Sequence, residues 1–311
     1  MNRHRRSSKR EALHTRLMAA LCVSLSVVWT ISSTASGGTT PKVKSEYYLS
    51  VGDSYAAGYQ PVASAMQGRD TAGFAYQVTR LARSRGHHFK LVNFGCGGAT
   101  TSAVIDQVGC SVSNPGPDTD DYPKMTQANA VDQFIVRHVG HIGLITVSIG
   151  GNDILACSNA TILLSCVSSA LVAIKSNLST LLAGLRRVAG PNVPIIGLTY
   201  PDVFLGVYSS KVPGSKNLAI LSVGAFRTLL NPTLATMYTS IGAHFIDVTQ
   251  ATGAYTPLSE TTRDGKYGTI PLAVADVCSL TYECQLQDVH PTTKGYALIA
   301  RLIEEALPRD S

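Results

Sequence analysis

Five short apolar runs decide what this chain can fold into. They are residues 47–52 (YYLSVG), 89–95 (FKLVNFG), 144–150 (LITVSIG), 194–200 (PIIGLTY) and 244–249 (HFIDVT). Most are rich in β-branched residues and alternate little, as strands buried on both faces of a parallel sheet do. Stretches with helical spacing lie between them, at 73–86, 125–139, 166–188 and 215–241, and a last one closes the chain at 292–307. The fourth is expected to break at Asn231-Pro232, because proline removes a helix hydrogen bond. Strands alternating with helices predict a three-layer α/β/α sandwich around a five-stranded parallel sheet.

In such sheets ligands bind beyond the carboxyl ends of the strands. The first three runs end in Gly52-Asp53-Ser54, Gly95-Cys96-Gly97-Gly98 and Gly150-Gly151-Asn152-Asp153. Glycine lets the backbone turn tightly and approach a ligand closely. Ser54, the Gly98 amide and Asn152 are therefore expected to converge on one edge of the sheet. A base comes from Gln287-Asp288-Val289-His290-Pro291, which precedes the last helix and can return to the same edge. A serine hydroxyl is a poor nucleophile until a neighbouring base takes its proton, and histidine titrates in the range that task needs.

Simpler readings compete at each position. Ser54 after a strand fits a helix N-cap. Asp53 and Asp153 could form the carboxylate pair of a glycosidase, but hydrogen bonds that hold their own turns are the better expectation. The glycine run at 95–98 lacks both the Lys-Ser/Thr of a P-loop and a dinucleotide fingerprint. His87-His88 and the pair His138/His141 have no acidic or cysteine companions at ligand spacing, so they are expected to face solvent, and no metal site is expected. The elbow G-x-S-x-G of another hydrolase fold is missing its second glycine, which is Ala56 here.

Residues 3–16 hold six Lys/Arg, an apolar run follows at 17–31, and Ser33-Thr34-Ala35 supplies small residues. That order describes a secretory signal over 1–35, cut after Ala35, followed by a flexible lead-in at 36–44 and one domain at 45–308. The apolar run is short for a membrane span. Residues 1–35 carry six Lys/Arg and one Glu, which leaves the rest of a +6 chain near +1. Nothing in that balance favours nucleic acid as a partner. Six cysteines lie beyond the signal and fall into three sequence-local pairs, Cys96–Cys110, Cys157–Cys166 and Cys278–Cys284. Disulfides in an oxidising compartment are the simpler account, since no CxxC or HxxxH spacing supports zinc.

With GDSY at 52–55, NFGCGGATT at 93–101, GGND at 150–153 and DVHPTTKGY at 288–296 in this order, the chain resembles the SGNH hydrolases. This is also called the GDSL esterase/lipase family, and its secreted actinobacterial members look most similar. The resemblance spans essentially the whole chain after the signal and implies a flavodoxin-like order of the five strands. It implies that Ser54 is the nucleophile and His290 the base, with Ser54, Gly98 and Asn152 donating N–H groups to the oxyanion. It departs at the acid. The family's usual block places Asp three residues before His, where Gln287 stands here. Asp288, two before His290, can still reach the ring along an extended segment; alternatively a backbone carbonyl near Gln287 orients a Ser–His dyad.

The expected function is a secreted, extracellular or cell-envelope serine esterase or lipase working through an acyl-enzyme, with no cofactor and no metal. Its partner is a small-molecule or lipid ester. The mature chain is expected to be a monomer without a membrane-spanning segment. A polysaccharide O-deacetylase or an acyltransferase could use the same site, and a non-catalytic binding protein on this scaffold need not keep the whole set. The mature part contains no tryptophan, which weakens the sugar reading. The segments 60–71, 111–123, 203–215 and 254–276 could wall the pocket. They are polar and Gly/Pro/Ser-rich, favouring an open site for short, water-soluble esters.

Overall fold

The computed structural model describes residues 45–61, 71–111 and 118–308. The expected signal at 1–35 and the lead-in at 36–44 lie outside these residues. So do 62–70 and 112–117 within two of the expected pocket walls.

Five parallel strands form the sheet: β1 (Ser45–Gly52), β2 (His88–Asn93), β3 (Ile142–Ser148), β4 (Ile195–Leu198) and β5 (His244–Ile246). Their order is β2-β1-β3-β4-β5. The chain moves outward from β1 to β2, then crosses to β3 on the other side. The strand order therefore reverses between β1 and β3, and a crevice opens beyond their carboxyl ends.

Both faces are covered, which accounts for the unbroken apolar runs. Leu49 and Val51 of β1 join Ile145 and Val147 of β3 on one face, with Val131, Ile174, Leu178 and Leu234. Those four come from the helices Gln127–Arg137, Leu163–Ala189 and Asn231–Ser240. Tyr48, Leu144 and Ile196 point the other way and pack with Phe74, Val78, Tyr296 and Ile299. These belong to the helices Phe74–Leu81 and Thr293–Ala306. Period-two alternation of the side chains puts neighbours in one strand into two different cores.

The break expected at Asn231-Pro232 falls earlier. The helix Ser215–Ala225 runs into a π-helical turn, Phe226–Leu230, and a regular helix resumes at Asn231 with Pro232 in its first turn. Proline cannot bond to the carbonyl four residues back, and the wider turn takes up that mismatch. The stretch 254–276 is not simply a polar loop. It holds an antiparallel hairpin, β6 (Thr261–Asp264) and β7 (Gly268–Pro271), and the start of the helix Leu272–Leu280. Ile270, Val274 and Val277 pack with Leu205 in a separate small core.

His87 also differs from expectation. It is buried, stacks on Phe89 and donates from Nε2 to the Pro308 carbonyl at 2.7 Å. The three expected disulfides are present: Cys96–Cys110, Cys157–Cys166 and Cys278–Cys284.

Candidate active site

At the end of β1 the backbone passes through Gly52 at φ +133°, and a Cβ there would lie 1.9 Å from the Ser148 carbonyl oxygen. Only glycine fits both the conformation and the space. The buried Gln127 side chain accepts from the Gly52 N–H at 2.8 Å and donates to its carbonyl at 3.0 Å. It thus bonds both backbone polar groups of Gly52 where the strand ends.

Asp53 then caps the four-residue helix Ser54–Ala57, accepting from the Tyr55 N–H at 2.9 Å. The cap is Asp53, so Ser54 is not the N-cap and its hydroxyl remains for other work. The other Asp53 oxygen accepts from the Tyr200 hydroxyl at 2.6 Å. Burial pushes this carboxyl up to about 6, against the opposing pull of those two hydrogen bonds. Asp153 accepts from the backbone N–H and the hydroxyl of Thr101, at 2.9 and 2.7 Å. Asp53 therefore holds its own turn, as expected, whereas Asp153 ties the segment after β3 to the start of the helix Thr101–Asp106, and the two form no glycosidase pair.

Ser54, His290 and Asp288 come together in one hydrogen-bonded chain. Ser54 Oγ lies 2.7 Å from His290 Nε2, and His290 Nδ1 lies 2.7 Å from Asp288 Oδ1. Burial raises the Asp288 carboxyl, but bonds from the His290 ring and backbone N–H, with the imidazole's charge, outweigh it and hold the group below its ordinary value. An ionised carboxylate only accepts, so Nδ1 carries the proton and Nε2 presents its lone pair to the Ser54 hydroxyl. The partner of Nδ1 is thus Asp288 rather than a backbone carbonyl. Gln287 serves differently. It ends the short helix Glu283–Leu286 at φ +54°, a left-handed turn that a residue with a side chain rarely adopts. That turn swings the following segment back over Ser54.

The histidine loop is tied down on several sides. The Tyr55 hydroxyl donates to the Val289 carbonyl at 2.6 Å. Gln60 Nε2 donates to the Pro291 carbonyl at 3.0 Å, and the Tyr282 N–H to the His290 carbonyl at 2.9 Å. The Tyr59 ring meets the imidazole edge-on at 4.5 Å.

Asn152 lies on the helix Gly151–Leu155, just past β3, and lines the same pocket as Ser54. Its Nδ2 donates to the Ala99 carbonyl at 2.9 Å. An amide nitrogen has two N–H groups, so one positions the side chain and the other remains for a ligand. Gly98 precedes Ala99 in that turn at φ +75° and has nothing within 4 Å of where a Cβ would sit. Its glycine requirement is therefore conformational. It borders a small neighbouring cavity and is not among the residues lining the Ser54 pocket.

The Ser54 pocket has a cavity volume of about 50 Å³. Of the segments expected to wall it, 203–215 contributes Val203 and Phe204, and the remainder of its apolar lining includes Ile154, Leu155, Phe226 and Leu230. The expectation of polar loop walls is corrected accordingly: the described lining is largely apolar and comes mostly from helices. Sequence reasoning also missed Tyr200 and Gln127. Tyr200 closes a recognised strand-like run, which was a usable signal; a glutamine inside a helix gives none. No group of three His, Cys, Asp or Glu suited to a metal occurs among the described residues.

The model of the GDSL-like Lipase/Acylhydrolase family matches residues 50–298. Among solved structures, the extracellular lipase of Streptomyces rimosus is similar at 20% identity and a TM-score of 0.47, covering 84% of this chain and 99% of that one. A mutant of an acetylxylan esterase from Geobacillus stearothermophilus is similar at 15% identity and a TM-score of 0.46, covering 86% and 97%. A lipolytic protein of the G-D-S-L family, termed putative, from Desulfitobacterium hafniense is similar at 11% identity and a TM-score of 0.44, covering 84% and 98%. The comparison with curated proteins returns no match.

Proposed function

The chain belongs to the GDSL-like lipase/acylhydrolase family and is a carboxylic-ester hydrolase, and from that premise we propose that Ser54 carries the acyl group. Ser54 Oγ attacks the ester carbonyl carbon as its proton passes to His290 Nε2. The carbonyl oxygen becomes an oxyanion. Backbone N–H groups of Ser54 and Gly98 and the second amide N–H of Asn152 receive it; losing one such donor typically costs about 3–4 kcal/mol in the transition state. The tetrahedral intermediate collapses, the C–O bond to the alcohol breaks, and His290 returns the proton to the departing oxygen. A water molecule, deprotonated by His290, then attacks the acyl-enzyme. The carboxylic acid leaves and Ser54 regains its proton. Asp288 holds the imidazole in the required tautomer and orientation while it takes the proton from Ser54.

The observation that supports this reading is the unbroken chain of contacts, 2.7 Å from Ser54 to His290 and 2.7 Å from His290 to Asp288. All three groups and the pocket belong to one chain, so a single subunit carries the whole catalytic set. The three disulfides are consistent with an oxidising compartment. With residues 1–35 read as a signal, they support a single domain at 45–308 released to the outside or to the cell envelope.

Hydrolysis of p-nitrophenyl butyrate by the mature protein and by Ser54→Ala tests the assignment. The variant is expected to lose at least about 10³-fold in kcat. Equal rates in the two proteins would remove Ser54 from the reaction.

A further inference from the structure

The Ser54 pocket is too small to hold much of a substrate: about 50 Å³ accommodates a few water-sized groups. It does not end there. Ile154, Phe204, Phe226 and Leu230 line it and also line an adjoining groove of about 540 Å³. That volume lies in the range of small-molecule sites, roughly 300–1,000 Å³. The first turns of the helix Leu163–Ala189 form one side, through Leu163, Val167 and Leu171. The helix Ser215–Ala225 and the π-helical turn form the other, through Leu218, Leu221 and Leu229.

Two further observations say what kind of molecule fits. None of the residues lining the groove is Asp, Glu, Lys or Arg, and Arg227, between Phe226 and Thr228, places its guanidinium on the carbonyl and ring of Tyr255. The groove lining therefore offers no charged partner to a sugar, a phosphate or a peptide terminus. The rim is also apolar and open to solvent: Ile162 is 69% exposed, Leu221 59%, Ile220 45% and Leu229 44%. The helices concerned, Ser165–Ala189 and Ser215–Ser240, are long and apolar enough to cross a membrane by length and composition, yet the apolar window of each is only 22% and 33% buried. Their apolar content exceeds what packing in the sandwich uses. An exposed apolar strip of this kind marks a binding surface.

We propose that this groove is the acyl-chain site, and that the enzyme acts on esters of long, unbranched fatty acids. The proposal rests on Ser54 as the residue that takes the acyl group. With the ester carbonyl at Ser54, the first carbons fill the small pocket. The chain then passes Ile154 and Phe204 and lies between the two apolar helices. The occupant is the acyl chain because the groove continues from the residues around Ser54. Each methylene withdrawn from water favours binding by about fourfold. This proposal differs from the short, water-soluble substrates that the loop composition favours.

Gly224 provides a direct test. It lines the groove, sits within a helix, and has nothing within 4 Å of where a Cβ would be. A large side chain there can occupy the groove without displacing the core. We would measure kcat/KM for p-nitrophenyl acetate and p-nitrophenyl dodecanoate, and read their ratio in wild type, Gly224→Trp and Leu221→Asp. In wild type the dodecanoate is expected to exceed the acetate at least tenfold. Both variants are expected to lower the dodecanoate-to-acetate ratio at least tenfold, one by filling the groove and the other by placing a charge in it. A wild-type preference for acetate overturns the proposal. So does a ratio that neither variant changes, which would leave the apolar rim to docking at a lipid surface. Ser54-dependent hydrolysis of acetate with either of those results sinks the groove alone. Hydrolysis that survives Ser54→Ala sinks the underlying mechanism as well.

Discussion

Asp288 places one carboxylate oxygen against both the ring and the backbone N–H of His290, at 2.7 and 2.9 Å. A single atom therefore fixes the loop and the tautomer. Asn at this position keeps the size but can turn its N–H₂ toward the ring and select the wrong tautomer. Asp288→Asn is expected to lower kcat about 10²–10⁴-fold with little change in KM. A rate near wild type would show that the ring needs no carboxylate. Because its carboxyl is held below the ordinary value, Asp288 stays ionised through the neutral range. Its contribution to stability is present above the unfolded value and is lost only as the pH falls through the lower, folded one. Ser54 and Asn152 were legible because each lies two residues after the glycine that ends a strand-like run, Gly52 and Gly150, and His290 because it precedes Pro291 in the loop before the last helix. Asp288 was legible only as one of two options. The choice depends on the left-handed turn at Gln287, and nothing in the residue type of glutamine announces that conformation.

The element that most shapes the site beyond the catalytic groups is the helix Ser215–Ala225. Its Ser222 hydroxyl donates to Asp202, 2.8 Å away in the segment after β4. Asp202 is fully buried, and desolvation pushes its carboxyl up to about 7 despite its hydrogen bonds from Ser222 and the Phe204 N–H. The native state therefore holds this proton while the unfolded chain has released it. Stability from this group is full below the unfolded value of 3.8 and falls as the pH rises toward about 7. Three pH units correspond to a loss of about 4 kcal/mol. Asp202→Asn removes the titration, so its Tm is expected to stay flatter than that of wild type between pH 4 and 8. Parallel declines in both proteins would place the effect elsewhere. The helix itself was legible from its spacing. Its role as a groove wall was not, because helical periodicity identifies apolar residues without saying whether a core or a ligand covers them. The β6–β7 hairpin was missed for a related reason: Thr261–Asp264 is short and polar, and resembles a loop until its partner strand is known.

On the scale of the whole molecule, the strand order reverses between β1 and β3, and this reversal brings the pieces of the site together. Ser54 follows β1, Asn152 follows β3, and the loop carrying His290 returns across both. The disulfides lie near the same end. Cys96–Cys110 closes the strand-end turn that holds Gly98, Cys157–Cys166 joins the segment after Asn152 to the long helix, and Cys278–Cys284 braces the approach to Asp288. Each closes a short loop, worth roughly 2–3 kcal/mol at most in the chain-entropy account. Their placement stiffens the three segments that must keep register around Ser54. The central claim, that Ser54 is the residue to which the acyl group is transferred, is tested most directly by covalent labelling. The protein would be treated with a fluorophosphonate, digested, and its adduct located by mass spectrometry. One adduct on Ser54, absent from Ser54→Ala and formed far more slowly in His290→Ala, is the predicted result. An unlabelled wild-type protein, or an adduct on another residue, would contradict it.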